Sequence, residues 1–339
     1  MKIITFGELM LRLGPEGRLR FRQADSFKVT FGGAEANVAA DLALLGADAA
    51  FVTRLPAHEI GQMAVDSLRK YGVDTSRIVR GGERVGVYYV EKGASQRASQ
   101  VIYDRANSAV ALSKRSDYDW ENILKAADWF HFTGITPALG GELPDVCRDA
   151  LEVCRAHGIR VSCDLNYRNK LWSREQAREV MSQLMPYVDL CIANEEDAAD
   201  VFGIQAGRSD VAGGRLDQNG YRSVAVELQQ RFGFQYVAIT LRESISADDN
   251  VWSAMLWDGQ NCRFSKKYPV HIVDRVGGGD SFGAGLIYGL TQGLEPGEAL
   301  EFAVAASCLK HSIEGDYNMV TAAEVKKLAA GDASGRVRR

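Results

Sequence analysis

The amino-acid sequence predicts an α/β fold: a central, mostly parallel sheet flanked by helices, with a small β-sheet projecting from it. Short apolar segments alternate with helix-compatible segments along most of the chain, which is typical of βαβ units. Residues 84–105 interrupt this alternation with the pattern of a two-stranded hairpin. Three consecutive glycines at 277–279 precede a helix-compatible segment, as in an anion-binding turn.

The composition is that of an ordinary globular protein. The chain has 339 residues, of which 46% are hydrophobic and 25% charged. The formal net charge of −4 argues against a general nucleic-acid-binding protein. The six cysteines form no C-x-x-C pair and lie mostly in apolar segments, so we expect free buried thiols and a cytoplasmic location. No apolar segment approaches membrane-spanning length, so no membrane partner is expected.

The predicted elements cover most of the chain in order. Residues 2–7 are a strand, residues 11–31 are irregular and end in a strand near 27–31, and a helix then runs to a stop at Gly46. The further predicted strands are 49–53, 129–132, 159–164 and 190–193. The further predicted helices are 60–71, 143–157, 173–185 and 297–311. We expect residues 205–222 to be an exposed loop, residues 1–329 to be one domain and residues 330–339 to be a flexible tail.

The hairpin of residues 84–105 is predicted to form a lid together with residues 11–32. Side chains alternate between the two faces of a strand. We therefore expect one face of the hairpin to carry three side chains from each strand: Val85, Val87 and Tyr89 from the first, and Val101, Tyr103 and Arg105 from the second. Tyrosine hydroxyls and a guanidinium suit a polyhydroxylated acid, because Arg holds a carboxylate with two parallel hydrogen bonds. The alternative is an aromatic cross-strand pair beside a solvated Arg.

The glycine turn at 277–279 is the strongest local signal. Without side chains, these residues let backbone amides converge on an anion at the start of the following helix. Asp280 then places a carboxylate beside the anion site, an arrangement that suits transfer of a phosphoryl group to a hydroxyl. The alternative is a glycine-rich turn capped by an aspartate.

Two other places carry candidate site residues. Gly33 opens a helix after a strand, with Asn37 one turn later, and its amide is a candidate donor to a substrate hydroxyl or carboxylate. Asp164 ends a predicted parallel strand and Asn166 and Arg168 follow it, at the sheet edge where open α/β folds bind ligands. The alternative for the first is an ordinary helix start.

Several of these motifs share one resemblance. D-R-V-G-G-G-D-S-F-G-A-G at 274–285 resembles the carboxy-terminal signature of the ribokinase-like (PfkB) carbohydrate kinases, with Arg275 where Thr is usual and Gly278 where Ala is usual. The G-G-x-x-x-N pattern is similar to the amino-terminal sugar-binding signature of the same family. D-L-N-Y-R-x-x-L-W at 164–172 and Y-Y-V-E-K-G at 88–93 resemble its members that act on 2-keto-3-deoxygluconate.

The resemblance implies a ribokinase-like fold and an ATP-dependent, Mg²⁺-assisted kinase acting on the 6-hydroxyl of 2-keto-3-deoxygluconate. Asp280 would be the base, and the amides of Gly277, Gly278 and Gly279 would hold the transferring group. The implied substrate residues are Gly33, Asn37, Tyr89, Tyr103, Arg105, Arg168, Asp280 and Asp316. The implied nucleotide residues are Asn166, Asn194, Thr240, Arg242, Gly277 and Gly279. Either Glu196 or Asp197 would hold Mg²⁺ through water; the alternative for these residues is an acidic helix N-terminus.

One departure from the family pattern limits this interpretation, and some alternatives stay open. The family usually has a glycine-containing turn after the strand that we expect to end near residue 239, whereas this chain has Thr240-Leu241-Arg242. A kinase for another sugar (fructose, ribose or 5-keto-2-deoxygluconate), or a non-catalytic sensor on the same fold, stays open, although two arginines with tyrosines favour an acid. No P-loop motif occurs, and Gly7-Glu8-Leu9 lacks the pattern of a dinucleotide oxidoreductase. We expect a homo-oligomer.

Overall fold

The computed structural model describes residues 1–194, 196–205 and 218–332. Its strands, in chain order, are β1 Lys2–Phe6, β2 Met10–Gly14, β3 Lys28–Gly32, β4 Asp48–Val52, β5 Arg54–Leu55, β6 Val79–Arg80, β7 Val87–Glu91, β8 Gln100–Asp104, β9 Trp129–Thr133, β10 Arg160–Asp164, β11 Leu190–Ala193, β12 Tyr236–Ser244, β13 Asp249–Trp257, β14 Cys262–Phe264 and β15 Tyr268–His271.

The α-helices connect and cover these strands. They are α1 Ala34–Leu44, α2 Glu59–Arg69, α3 Trp120–Ile123, α4 Ile135–Ala138, α5 Leu143–His157, α6 Arg174–Leu184, α7 Asp197–Phe202, α8 Gln218–Phe232, α9 Gly278–Thr291, α10 Pro296–His311 and α11 Ala322–Ala329. Short 3-10 helices occupy Phe21–Gln23, Arg115–Asp117 and Met185–Tyr187. In the described part of the chain, no helix is long and apolar enough to span a bilayer.

The large sheet confirms the predicted α/β class. Among the described residues it has nine strands, and β4-β1-β9-β10-β11-β12 are parallel neighbours, followed by the antiparallel strands β13, β14 and β15. Parallel strands place all their carboxyl ends at one edge of the sheet. The segments that follow β1, β10 and β11 therefore meet there.

Helices cover both faces of this sheet, as the unbroken apolar strands require. Consecutive residues of β1 pack on opposite faces of the sheet. Ile3 packs with α9 and α10, whereas Ile4 packs on the face that α5 and α6 cover. Both isoleucine side chains are fully buried. Burial of strands on both sides explains why their sequence reads as continuous apolar segments rather than as alternation.

A separate four-stranded sheet forms at the predicted excursion, in the order β3-β2-β7-β8. The predicted hairpin is confirmed as antiparallel β7 and β8. The prediction that residues 11–31 are irregular up to the last strand is wrong, because residues 10–14 form β2 between β3 and β7. Pairing on both edges fixes this short strand, which its local sequence did not reveal. That this sheet acts as a mobile lid stays a prediction.

The prediction that a strand ends near residue 239 is also wrong. β12 continues to Ser244 because β13 pairs with it along its length, with Thr240 opposite Ala254 and Arg242 opposite Trp252. Thr240 and Arg242 therefore lie within a strand rather than in a turn. Residues 218–222 belong to α8, not to the predicted loop, while 206–217 and 333–339 lie outside the described residues.

One buried guanidinium joins the small sheet to the segment before the glycine turn. Arg12 of β2 donates to Asp274 Oδ2 (2.7 Å) and Asp316 Oδ2 (2.8 Å). Its side chain is 6% exposed, and those of the two aspartates are 2% and 1% exposed. Burial alone would lower the pKa of Arg12, but the two carboxylates raise it well above its ordinary value. The guanidinium is thus a permanent charge between two aspartates.

Arg12→Met should therefore destabilise the protein by about 3–5 kcal/mol, because it leaves two buried carboxylates without their partner. Urea denaturation measures the loss. Arg115→Ala is the control: its bidentate pair with Asp149 lies on the surface and is screened by water, so its loss should be much smaller. Equal losses for the two variants would contradict the structural role of Arg12.

Candidate active site

A polar cleft of about 450 Å³ lies where the carboxyl ends of the parallel strands face the small sheet. It gathers residues from widely separated parts of the chain. The predicted site residues that line it are Gly33, Asn37, Tyr103, Arg105, Asn166, Arg168, Asn194, Glu196, Asp197, Thr240, Arg242, Gly277, Gly278, Gly279, Asp280 and Asp316. Tyr89 is absent from its walls.

The glycine turn forms one wall of the cleft. Gly277 caps α9 in the left-handed region (φ 85°), and a Cβ there would clash with the carbonyl oxygen of Asp316. The Gly278 amide donates to Arg275 O (3.3 Å), so the prediction that all three amides face an anion is wrong for this one. The amides of Gly277 and Gly279 have no partner among the described residues, and both can meet an anion at the positive end of α9.

Asp280 lies in the first turn of α9, half-buried and open to the cleft. Asn37 donates from Nδ2 to Asp280 Oδ2 (2.6 Å). Burial raises the pKa of Asp280 to about 6, and the hydrogen bond from Asn37 and the charge of Arg168 oppose that rise. The carboxylate is ionised at neutral pH, yet it is more basic than an exposed aspartate.

Gly33 does not offer its amide to the cleft as predicted. Its N–H donates to Asn37 Oδ1 (3.2 Å), because α1 begins at Ala34 and the Asn37 side chain reaches back one turn. Asn37 thus accepts from Gly33 and donates to Asp280. Gly33 matters for close packing instead, since a Cβ there would clash with the carbonyl oxygen of Glu8.

The prediction that Tyr89 shares a face with Tyr103 is wrong. In the observed register Tyr88 lies opposite Tyr103, and their rings stack 6.1 Å apart. Tyr89 points to the other face of the small sheet, against Phe21 and Phe27. The alternation rule was right, but the sequence does not fix which residues of two strands pair.

Tyr88 takes the place in the cleft that was expected for Tyr89. Its hydroxyl donates to Asp316 Oδ1, while Arg12 holds the other oxygen of the same carboxylate. Burial raises the pKa of Tyr88 well above its ordinary value, and the neighbouring Asp316 raises it further, so its hydroxyl stays protonated. Asp316 therefore positions a tyrosine at the cleft.

Arg105 reaches the cleft with a partner that the sequence did not suggest. It donates from Nε to Glu8 Oε2 (2.7 Å) and also from Nη2 to the same oxygen. Ser108 donates to the other oxygen of Glu8 (2.5 Å). Glu8 lies two residues after the end of β1, so its place at the carboxyl edge of the sheet was a usable signal. The ion pair fixes the Arg105 guanidinium and offsets its charge.

Arg168 lies among three carboxylates. Its charge lowers the pKa values of Asp164, Asp197 and Asp280, each of which burial raises. Within the described segments, Arg168 makes no ion pair shorter than 4.0 Å, and Nη1 donates to Tyr167 O (3.0 Å). Asn166, two residues before it, has a left-handed backbone (φ 40°), a strained conformation typical of functional sites.

The segment after β11 presents two acids in different states. Asp197 is buried, and both of its oxygens accept backbone amides, from Tyr167 (3.1 Å) and Asn194 (2.9 Å). Glu196 is exposed at the cleft. Asn194 Oδ1 accepts from the amides of both acids, which fixes the start of α7. Among the described residues, no group of three acidic, His or Cys side chains forms a metal site.

The end of the cleft beside the glycine turn is basic. Arg242 of β12 and Arg275 both line it beside the glycine turn. Burial lowers the pKa of Arg275, and the positive charge of Arg242 lowers it further. Two like charges close together favour an anion between them. Thr240 lines the same wall, with its hydroxyl 3.5 Å from Ala193 O.

Sequence reasoning missed one further acid, Glu35. It lies in the first turn of α1, fully buried but adjoining the cleft. Thr133 and Thr136 donate hydroxyls to Oε1 (2.7 and 2.6 Å). Burial raises its pKa to about 7 against those hydrogen bonds. The position within the G-G-x-x-x-N pattern was visible, but its burial depends on β9, far away in the sequence.

Comparisons with known proteins bear on this site. A family model described as pfkB family carbohydrate kinase matches residues 2–323. The crystal structure of 2-dehydro-3-deoxygluconokinase from Thermotoga maritima is 53% identical, covers 98% of this chain and 100% of its own, and has a TM-score of 0.94. The 2-dehydro-3-deoxygalactonokinase of Haloferax volcanii is 32% identical over 334 residues, 98% of each chain. The 2-dehydro-3-deoxygluconokinase of Bacillus subtilis is 28% identical over 316 residues, 93% of this chain and 91% of its own.

Removal of the Asn37 side-chain amide should raise the pKa of Asp280 above its value of about 6, because the hydrogen bond from Nδ2 stabilises the ionised carboxylate. The measurement is a ¹³C NMR titration of labelled aspartate carboxyls in the parent and in Asn37→Ala, with Asp280→Asn to assign the signal. Asn122→Ala, outside the cleft, should leave that signal unchanged. An unaltered Asp280 pKa in Asn37→Ala would contradict the described contact.

Proposed function

The chain belongs to the pfkB family of carbohydrate kinases, and on that premise we propose that it transfers the γ-phosphoryl group of ATP to the 6-hydroxyl of 2-keto-3-deoxygluconate. The family makes it a phosphotransferase that acts on a sugar hydroxyl. The observation that carries the proposal is the Asp280 carboxylate beside the open amides of Gly277 and Gly279, in a cleft that also holds Arg168. The choice of 2-keto-3-deoxygluconate as the substrate rests on the relatives that are named 2-dehydro-3-deoxygluconokinase.

Asp280 acts as the general base. Its pKa of about 6 leaves it ionised at neutral pH and basic enough to take the hydroxyl proton as that oxygen attacks phosphorus. Asn37 holds the carboxylate in position. The amides of Gly277 and Gly279 donate to the transferring group, where such donors typically contribute about 3 kcal/mol each to the transition state.

The basic end of the cleft suits the nucleotide. Arg242 and Arg275 would bind its phosphates, and Thr240, Asn166 and Asn194 line the wall towards them. Mg²⁺ would neutralise phosphate charge. Glu196 is the better candidate to hold it, because backbone amides already occupy both oxygens of Asp197. Because the described residues form no preformed cluster of metal ligands, Mg²⁺ would bind to these acids through water.

The opposite end of the cleft suits the sugar acid. Arg168 would bind the carboxylate, assisted by Arg105, and Tyr88 and Tyr103, which both line the cleft, would bind substrate oxygens. Tyr88 replaces the Tyr89 of the sequence-based prediction. A cytoplasmic location and a homo-oligomeric state stay predictions.

A kinase for a neutral sugar is the second candidate, and one observation favours it. Glu8 engages two donors of Arg105, so that guanidinium has less capacity for a substrate carboxylate than the sequence suggested. The acid specificity therefore depends mainly on Arg168.

Asp280→Asn should preserve the fold and lower kcat by at least about a hundredfold, since an amide cannot accept the proton. In the parent, kcat/KM should fall as pH drops through about 6, because only the ionised carboxylate is a base. Asp189→Asn changes a half-buried aspartate outside the cleft and is the control. A coupled ADP assay measures both. Near-normal turnover in Asp280→Asn would remove Asp280 from the mechanism.

Arg168→Ala should lower kcat/KM for 2-keto-3-deoxygluconate by about thirty- to a hundredfold, the loss of a charge-assisted bond worth roughly 2–3 kcal/mol. With fructose, which lacks the carboxylate, the same substitution should lower kcat/KM much less. The measurement compares the parent, Arg168→Ala and the control Arg148→Ala on both sugars. Equal losses on the two sugars would mean that Arg168 supports the fold or the nucleotide, and the neutral-sugar candidate would then gain.

A further inference from the structure

Lys310 is a fully buried lysine in the last turn of α10, and the phosphoryl-transfer mechanism above does not use it. Its ammonium donates to two backbone carbonyl oxygens, Ile313 O (3.0 Å) and Asp274 O (3.5 Å). Burying an ammonium is costly unless its surroundings compensate. The arrangement therefore calls for a reason beyond packing.

Both carbonyls belong to segments that hold the glycine turn. Asp274 is the residue from which the turn starts, and its amide and that of Val273 donate to His311 O at the end of α10 (3.3 and 2.8 Å). The Lys310 side chain passes beneath Gly277, since a Cβ on that glycine would lie 3.2 Å from Lys310 Cε. The end of α10 thus supports the turn from below.

A second contact ties the same helix to the turn. Ser307, one turn before Lys310, donates its hydroxyl to Gly278 O (2.6 Å). Together these bonds fix carbonyls on the side of the turn that faces α10. Because the carbonyl and the amide of one trans peptide group point in opposite directions, the bond to Gly278 O turns the Gly279 amide away from α10, towards the cleft.

The charges around Lys310 belong to one largely buried network. Arg12 pairs with both Asp274 and Asp316, the partly exposed Lys92 lies 3.7 Å from Asp274 Oδ2, and Lys310 adds a fully buried ammonium. Burial lowers the pKa of Lys310, while Asp274, Asp316 and Asp41 oppose that effect. The Lys310 charge also lowers the pKa of Asp280, so its field reaches the reacting groups.

We propose that Lys310 is a positioning residue that serves as an internal cation for phosphoryl transfer. Its ammonium holds the carbonyls of Asp274 and Ile313, which keeps the glycine turn in its anion-binding shape, and it places a positive charge beneath the transferring group. This inference rests on the proposed kinase function.

Lys310→Ala leaves a cavity lined by the same carbonyls, so a small cation added to the buffer can occupy it. We expect kcat to fall on the order of a hundredfold, as for the loss of a preorganised donor, with KM for the sugar little changed. Adding ammonium or methylammonium should raise the kcat of Lys310→Ala by at least about tenfold. Tetramethylammonium, which cannot donate hydrogen bonds and is too large for the cavity, should restore none.

Two further variants complete the test. Lys310→Met fills the space without a charge, so it should fold, lose kcat to the same degree and resist rescue. Lys92→Ala removes an ammonium 3.7 Å from Asp274 Oδ2 that touches no carbonyl of the turn, and it should retain near-parental kcat. Circular dichroism and thermal unfolding of every variant report the folded state.

The outcomes are distinct. A parent enzyme that transfers no phosphate from ATP to any sugar would overturn the proposed function itself. With an active parent, near-normal kcat in Lys310→Met, or a folded Lys310→Ala that ammonium does not rescue, would overturn the inference. If neither Lys310 variant folds with or without ammonium, the residue is structural and the inference is wrong.

Discussion

The pairing of one buried arginine with two aspartates underlies both sides of the cleft. Arg12 belongs to the small sheet, Asp274 starts the glycine turn, and Asp316 holds the hydroxyl of Tyr88. Burying any of the three charges without its partner would cost several kcal/mol, which is a large fraction of the stability of a domain. The positions of the small sheet, the glycine turn and Tyr88 are therefore linked by a single electrostatic requirement.

The cleft separates its charges by function. At one end, the amides of Gly277 and Gly279 and the pair Arg242 and Arg275 make a positive environment that suits phosphates. In the middle, Asp280 keeps enough basicity for proton transfer because burial works against the stabilising effects of Asn37 and Arg168. Under the proposed function, this division lets a general base and an anion site lie next to each other while each keeps its own charge state.

Much of the architecture could be predicted from the sequence, for identifiable reasons. Strands buried on both faces leave continuous apolar segments, and helix ends such as Leu143–His157 are marked by Pro144 and Gly158, so these elements were predicted correctly. The glycine turn was equally visible, since its glycines have a steric purpose. Local sequence, however, says nothing of partners, and β2 and the extension of β12 exist because other strands pair with them. The same gap hid Tyr88 and the pairing of Glu8 with Arg105, which both depend on register and on contacts between segments distant in the chain.

The central claim is the chemical outcome: a phosphate ester on the 6-hydroxyl of 2-keto-3-deoxygluconate. The direct measurement is ³¹P NMR of the parent protein with ATP, Mg²⁺ and this sugar acid, with proton-coupled spectra to identify the carbon that carries the new phosphate and a parallel reaction on fructose. The proposed function predicts ADP and a single ester at the terminal CH₂ group, formed much faster than any fructose phosphate. An ester at another carbon, faster reaction with fructose, or no consumption of ATP with either sugar would contradict it.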